Sequence, residues 1–376
     1  MKKLKILLVS QGFYPENSPR SFRATELAKE FALQGHDVTV LTNPKEFDLT
    51  EFANNVGIKI KYTSNINLSE INFGRIKGLL FYLNRLIVRF LLLFFEFPYI
   101  KLTFAINKAL SKEYEKYNLL ISFSVPYPVH WGVALSHKKR NWIADNWVAD
   151  CGDPYYLDKL DSFKKPFYFK WIEKWMFNKV DFITVTRIDF KVNYFPEFHH
   201  KIVEIPQGFD FSKIQMYHGL YKQNVIPKFA FAGRFGGKSR DPKTLIYCLE
   251  NISTNFKCII YTENKNVITS ILPENLKEKV IVQSFLPRED LLIELSKMDF
   301  LVNLEFNPLN QSPSKLIDYA ITGRPIININ KKTLVQDFEI FKEFLSGNYN
   351  NAFVVPELEK YNIKNVSQSF LTLAGF

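Results

Sequence analysis

The sequence predicts an α/β protein built of two doubly wound domains facing a cleft, and three observations carry that expectation. Short apolar runs of β type alternate with helical stretches along nearly the whole chain, the pattern of parallel sheets covered by helices. The alternation breaks once, in a Pro/Gly turn and polar stretch up to residue 227, and a second βα series follows. The length, 376 residues, exceeds what one hydrophobic core usually organises. The expected division is therefore a first domain at 1–206, a linker at 207–227, a second domain at 228–355 and a helical tail at 356–376. Ligands gather beyond the carboxyl ends of such strands, so the cleft is the expected site.

The elements follow in order. Residues 4–10 form a short β run, and the turn-rich loop "QGFYPENSPRSFR" leads to an amphipathic helix, "ATELAKEFALQG", stopped by Gly35. "DVTVLT" is the second strand, and "GIKIKYT", "LLISFSV", "NWIADN" and "DFITVT" continue the first series. After "KIVEIPQGFDFSKI" come the strands "KFAFAGRF", "FKCIIYT", "KVIVQSF", "DFLVNLEF" and "RPIININ", with helices between them. Residues 78–100, "GLLFYLNRLIVRFLLLFFEFPYI", read as one or two aromatic-rich amphipathic helices. Arg85, Arg89 and Glu96 interrupt the apolar run, so it falls short of the ~20 residues a spanning helix needs. Two readings stay open for it: a helix packed in the core, or a basic surface that docks on a bilayer.

Composition narrows the classes. With 47% hydrophobic and 23% charged residues, a large core is available and bulk disorder is excluded. The formal charge of +11 and the 49 basic residues favour anionic partners: nucleic acid, acidic lipid or phosphorylated substrates. Three scattered cysteines, Cys151, Cys248 and Cys258, make neither a disulfide framework nor a metal cluster and fit a reducing cytoplasm. The opening "MKKLKILLVSQG" lacks a small-residue cleavage site and reads as a strand rather than a signal peptide.

The stretch "NQSPSKLIDYAITGRPIININ" carries the most local information. Ser312 suits a helix N-cap, Pro313 the first helical position and Gly323 the stop. That punctuation leaves the N–H groups of Ser314 and Lys315 without intrahelical partners, to be met by water and side chains or by an anion drawn by the helix dipole.

Taken together, several segments resemble the two-domain GT-B glycosyltransferases, specifically the retaining family 4 enzymes that use nucleotide sugars. "YPENSPRSFR" and "LAKEFALQGHDVTVLT" resemble that family's opening, and "IPQGFD" its Ile-Pro-Asn-Gly turn with Gln207 in place of Asn. "FAGRFGGKSRDPKTLI" resembles the loop carrying its phosphate-binding Arg and Lys, and "SPSKLIDYAITGRPI" the helix that receives the donor nucleotide. The fold so implied is GT-B, two Rossmann-like domains. The implied activity is transfer of a sugar to a surface-glycan acceptor: lipopolysaccharide, capsule or a polyprenyl-linked saccharide.

The resemblance also distributes roles. Arg234 with Lys238 or Arg240 would meet the donor phosphates, since Ser239 stands where the family commonly has Lys. Ser312, Ser314, Lys315, Phe285 and Leu286 would line the donor, and Asp318 would accept the ribose hydroxyls or else pair with Lys315. The family's first glutamate is Asn310 here, which leaves Glu305 as a substitute. His130 matches a histidine near the donor sugar, beside the reading of a structural histidine. Asn17, Arg20, Arg23 and Asp153 would face the acceptor, with solvated loop charge as the plain alternative. No cofactor and no metal are implied. The implied partners are the nucleotide sugar and the glycan acceptor. The basic charge and residues 78–100, not the resemblance, add an anionic membrane surface on the cytoplasmic side as one of the two readings open for that segment, and nucleic acid is not expected. Two other classes remain: a nucleotide-sugar epimerase or hydrolase, which would turn over without acceptor, and a basic nucleic-acid binder, which would show steep salt dependence.

Overall fold

The structure is a computed structural model that describes residues 2–16, 18–44, 47–68, 79–137, 142–158, 163–235, 241–304, 314–330 and 334–376. The chain forms two compact units: Met1–Phe209 with Lys360–Phe376, and Asp210–Glu359. The first holds a sheet of β1 (Lys5–Val9), β2 (Asp37–Thr42), β3 (Lys59–Tyr62), β4 (Tyr117–Phe123), β5 (Ala144–Cys151), β6 (Phe182–Val185) and β7 (Ile202–Glu204). Its order is β3-β2-β1-β4-β5-β6-β7, with every pairing parallel. The second holds β8 (Lys228–Ala232), β9 (Lys257–Tyr261), β10 (Val280–Gln283), β11 (Phe300–Leu304) and β12 (Ile326–Ile329), in the order β10-β9-β8-β11-β12. All of these pair parallel too. Two doubly wound α/β sheets are therefore present, as the alternation predicts. Each reverses direction at one place, between β1 and β4 or between β8 and β11, and there crossing connections leave the crevice that ligands use.

Period-two patterning divides the side chains of each sheet between two cores. Along β1, Ile6 and Leu8 join the core beneath the helices Pro19–Leu33 and Ile363–Leu373. Leu7 and Val9 join the opposite core, beneath Ile100–Leu110, Pro128–Ser136 and Tyr168–Lys179. Along β8, Phe229 and Phe231 fill one face and Ala230 and Ala232 the other. A strand buried on both faces reads as an unbroken apolar run, which is why these strands are visible in the sequence.

Of the boundaries that differ from the sequence reading, two matter for the site. The first helix starts at Pro19 rather than near residue 24, because Ser18 caps it by accepting the Ser21 N–H and Pro19 takes the first position. Arg20 and Arg23 therefore project from a helix, not from a loop. Strand β5 runs on to Cys151, past the expected end at residue 146, and carries Asp150 into the interior.

The stretch after Phe209 belongs to the second unit. Tyr221 Oη and Asn224 Nδ2 both donate to Asp299, whose other oxygen accepts the Lys228 N–H. The helix Ile363–Leu373 belongs to the first. It packs closely on Gly208, where an added Cβ would stand 2.5 Å from Ile363 Cδ1 and 3.3 Å from Ile363 Cα. Among the described residues no helix is long and apolar enough to cross a membrane.

Candidate active site

At the reversal point of the second sheet, β8 leads into Gly233-Arg234 and the helix Ser314–Ile321 follows β11. Tyr319 fixes that helix to the sheet: its hydroxyl accepts the Ala232 N–H at 2.8 Å and lies 3.3 Å from the Val302 carbonyl. One turn earlier, the Lys315 ammonium lies 3.8 Å from the centre of the Phe231 ring and 5.1 Å from that of Tyr319. A Cβ added to Gly233 would stand 3.4 Å from the same nitrogen. The ammonium is thus held over the exit of β8 by two aromatic faces. The next residue, Arg234, is 69% exposed and bonds Glu263 at 2.6 Å. Such an exposed pair is worth at most about 1 kcal/mol, so an arriving anion can redirect the guanidinium at low cost.

Asp318 sits on the same helix as Lys315, and its partner is Arg288 rather than Lys315. Arg288 Nε and Nη2 both donate to Oδ1, at 2.9 and 2.6 Å, from the first position of the helix Arg288–Ser296. Burial pushes the Asp318 pKa up and Arg288 opposes the rise. Oδ2 has no donor among the described residues. Phe285 and Leu286 are half-buried just before Arg288, and Leu286 packs on the core containing Tyr319. Gly323 ends the Asp318 helix at φ +69°, with the His218 ring where a side chain would be. Only glycine fits both demands.

In the first unit, Arg20 and Arg23 converge on Asp150. Arg23 Nε and Nη2 grip the two carboxylate oxygens at 2.7 Å each, and the remaining donors reach the carbonyls of Ile205 and Pro206. Thr184 adds a 2.7 Å bond to Oδ1, and Arg20 a 3.1 Å bond to Oδ2. Burial raises the Asp150 pKa, but Arg23 and then Arg20 outweigh it and hold the carboxyl below its ordinary value. Arg23, 1% exposed, is consumed in tying the first helix to β5 and to the "IPQG" turn. Arg20 keeps some solvent contact, and its guanidinium fills the space a Gly152 side chain would need. Asp153 is exposed, and its carbonyl accepts the Tyr127 hydroxyl at 2.9 Å.

His130 is wholly buried on the helix Pro128–Ser136. Its Nδ1 lies 2.7 Å from Ser122 Oγ, which accepts the Trp147 indole N–H at 2.8 Å. The indole can only donate, so the serine proton is free for Nδ1, and Nε2 keeps its own proton facing Cys151 Sγ at 3.7 Å. Burial lowers the His130 pKa to about 3. The ring is neutral throughout the physiological range.

Behind this network lies Glu173, 2% exposed, an acid the sequence reading did not single out. Burial pushes its pKa up to about 8, against a single Tyr156 N–H and the charge of Lys165. Tyr127, Cys151, Tyr155 and Tyr194 are electrostatically coupled to it. The folded state then binds a proton that the unfolded chain releases near 4.5, so stability falls as pH rises from about 4.5 through 8. Glu173→Gln should flatten the Tm profile between pH 5 and 9 and gain a few kcal/mol over the parent at the alkaline end. Parallel profiles for the two proteins would rule this out.

Asn17, Lys238, Arg240, Ser312, Asn310 and Glu305 lie outside the described residues, as does the Ser314 side chain. Arg288, Tyr319 and Asp150 went unassigned in the sequence reading. The one local signal was "PRED", a Pro-led helix start that puts Arg288 at its opening turn. Among the described residues no group of three or more His, Cys, Asp or Glu is placed to hold a metal ion.

No protein-family model matches the sequence, and comparison with curated proteins finds no significant match. Solved structures do match over the full length. A glycosyltransferase from Rickettsia africae is 12% identical, covering 100% of this chain and 98% of its own, with a TM-score of 0.62. The catalytic domain of starch synthase IV from Arabidopsis thaliana, bound to ADP and acarbose, is 9% identical over 100% and 99%, also at 0.62. Anabaena HepE, in complex with UDP and glucose, is 12% identical over 99% and 100%, at 0.56. The chain has the GT-B fold of glycosyltransferases.

Proposed function

We propose that the protein is a retaining glycosyltransferase that takes a sugar from a nucleotide donor and delivers it to a saccharide or polyprenyl-linked acceptor of a surface glycan. The observation that carries this reading is the grouping at the β8 exit: the Lys315 ammonium, Arg234 and the start of the helix Ser314–Ile321, with Asp318 one turn on. Two cations and a helix N-terminus suit a diphosphate, and the free Oδ2 of Asp318 suits a ribose hydroxyl. UDP and ADP in two solved proteins of this fold support the donor class. In the reaction, the bond from the sugar anomeric carbon to the phosphate oxygen breaks while the acceptor oxygen bonds the same carbon from the same face. The acceptor proton passes to the departing phosphate. Negative charge grows on that phosphate, and fixed cations that strengthen their hold there lower the barrier. Arg20, beside Asp150 in the first unit, is the cation we assign to the acceptor side.

A melting screen with UDP-, GDP-, ADP- and CMP-sugars tests the donor half. A true donor at about a hundred times its Kd should stabilise the fold by about 2.7 kcal/mol. Asp318→Ala should weaken that binding by roughly 1–3 kcal/mol through the lost charged hydrogen bonds, with its own Tm checked first. No shift with any of the four sugars would defeat the proposal.

A further inference from the structure

We infer that the helix Leu79–Phe95 and the adjoining aromatic residues Phe167 and Trp171 dock on an anionic lipid surface. The helix is apolar on nearly every side: Asn84, Arg85 and Arg89 are its only amide or charged residues. A helix hydrophobic all round is normally an interior one. Yet from Tyr82 to Phe95 none of its side chains is buried. Tyr82, Leu86, Phe90 and Phe94 recur every four residues, flanked by Leu83 and Ile87, and form one stripe. Leu86 is 63% exposed and Phe90 50%. Contiguous apolar surface of this kind marks an interaction site.

A second group extends the stripe. The Tyr168 hydroxyl donates to the Phe94 carbonyl, and the Arg89 guanidinium lies 4.0 Å from the Phe163 ring centre. These contacts set the start of the helix Tyr168–Lys179 beside the end of Leu79–Phe95. There Phe167 and Trp171, four residues apart, are 73% and 64% exposed.

Charge selects the occupant. Arg85, Arg89 and Lys164 are exposed around the stripe, and Lys170 reaches over the Trp171 ring. The helix has no acid, and Glu96 just beyond it is buried and neutralised by Lys165 at 2.5 Å. A second copy of the chain would bring like charges face to face. A bilayer accepts both features, acyl chains for the aromatic stripe and acidic headgroups for the cations. Two arginines and 17 residues make the helix lie in the interface rather than cross it.

The test uses the intact chain, sedimented with phosphatidylcholine vesicles made with and without phosphatidylglycerol. Binding is expected only with the anionic lipid and should weaken as salt is raised. Leu86→Ser with Phe90→Ser should lower partitioning ~10-fold or more by removing apolar contact. Arg89→Gln with Lys164→Gln should lower it by about 25-fold at low salt, ~5-fold for each charge. Unchanged Tm in all these exposed-site variants separates docking from folding. Equal recovery in the supernatant with both vesicle types overturns the inference, as does equal binding to both. A dimer in sedimentation velocity that Leu86→Ser/Phe90→Ser dissociates, without vesicle binding, would assign the face to self-association instead. None of these outcomes depends on the reaction proposed above.

Discussion

Replacing Asp150 by alanine should destabilise the first unit by about 3–5 kcal/mol, because the buried Arg23 guanidinium would lose its counter-charge with no water to replace it. Four bonds converge on that carboxylate, two from Arg23 and one each from Arg20 and Thr184. Arg23 cannot shed its proton to escape, so the cost falls on the fold. Thr184→Val removes a single neutral donor and should cost only about 1 kcal/mol, which calibrates the comparison. Denaturant unfolding followed by circular dichroism reads both, with the first unit's transition resolved from the second's. A loss below that of Thr184→Val would mean the arginine finds another partner, and the buried-pair account would be wrong. Acid should act in the same direction. The Asp150 pKa is depressed in the folded state, so its stabilisation is present above the ordinary carboxylate range and is lost as pH falls through the folded value.

The second large effect is on turnover. Arg234→Ala is expected to lower kcat by ~100-fold or more, the scale for removing a preorganised charge that meets the transition state. In the reading proposed above Asp318 would hold a ribose that is unchanged by reaction, so its removal should act mainly on KM. Arg234 begins paired with Glu263, and Glu263→Gln should leave kcat near the parent value while making the guanidinium easier to recruit. Steady-state rates at saturating donor decide the matter. Wild-type kcat in a folded Arg234→Ala protein would remove the phosphate role and turn attention to Lys315.

The strands were legible because each is a short apolar run that two packed faces demand, as "KILLV" and "KFAFA" show. At the β8 exit the helix start at Ser314-Lys315 carries a local backbone signal, whereas Arg234 stands out only through the resemblance of "FAGRFGGKSRDPKTLI" to a family loop. Other features depend on distance in the chain. Arg23 and Asp150 stand 127 residues apart, and nothing near either residue names the other. A cap can be read over four residues, a buried ion pair cannot. The same limit hid the partner of Asp318: helix spacing offers Lys315, while the residue that bonds it is Arg288, 30 residues back, and the lysine lies over two aromatic rings instead. The early helix start at Pro19 was a different case. Its Ser-Pro signal was present, but the proline and asparagine around it read as a loop.

The helix Ile363–Leu373 has a consequence for biosynthesis. It completes a core begun by β1 and the helix Pro19–Leu33, while the whole of Asp210–Glu359 is threaded between. A ribosome delivers the chain in order, so the inserted unit has all of its sequence in hand while the enclosing one still lacks Phe370 and Leu371. Until those residues emerge, the apolar side of Pro19–Leu33 stays partly uncovered, and the nascent first unit is the half that needs protection from aggregation.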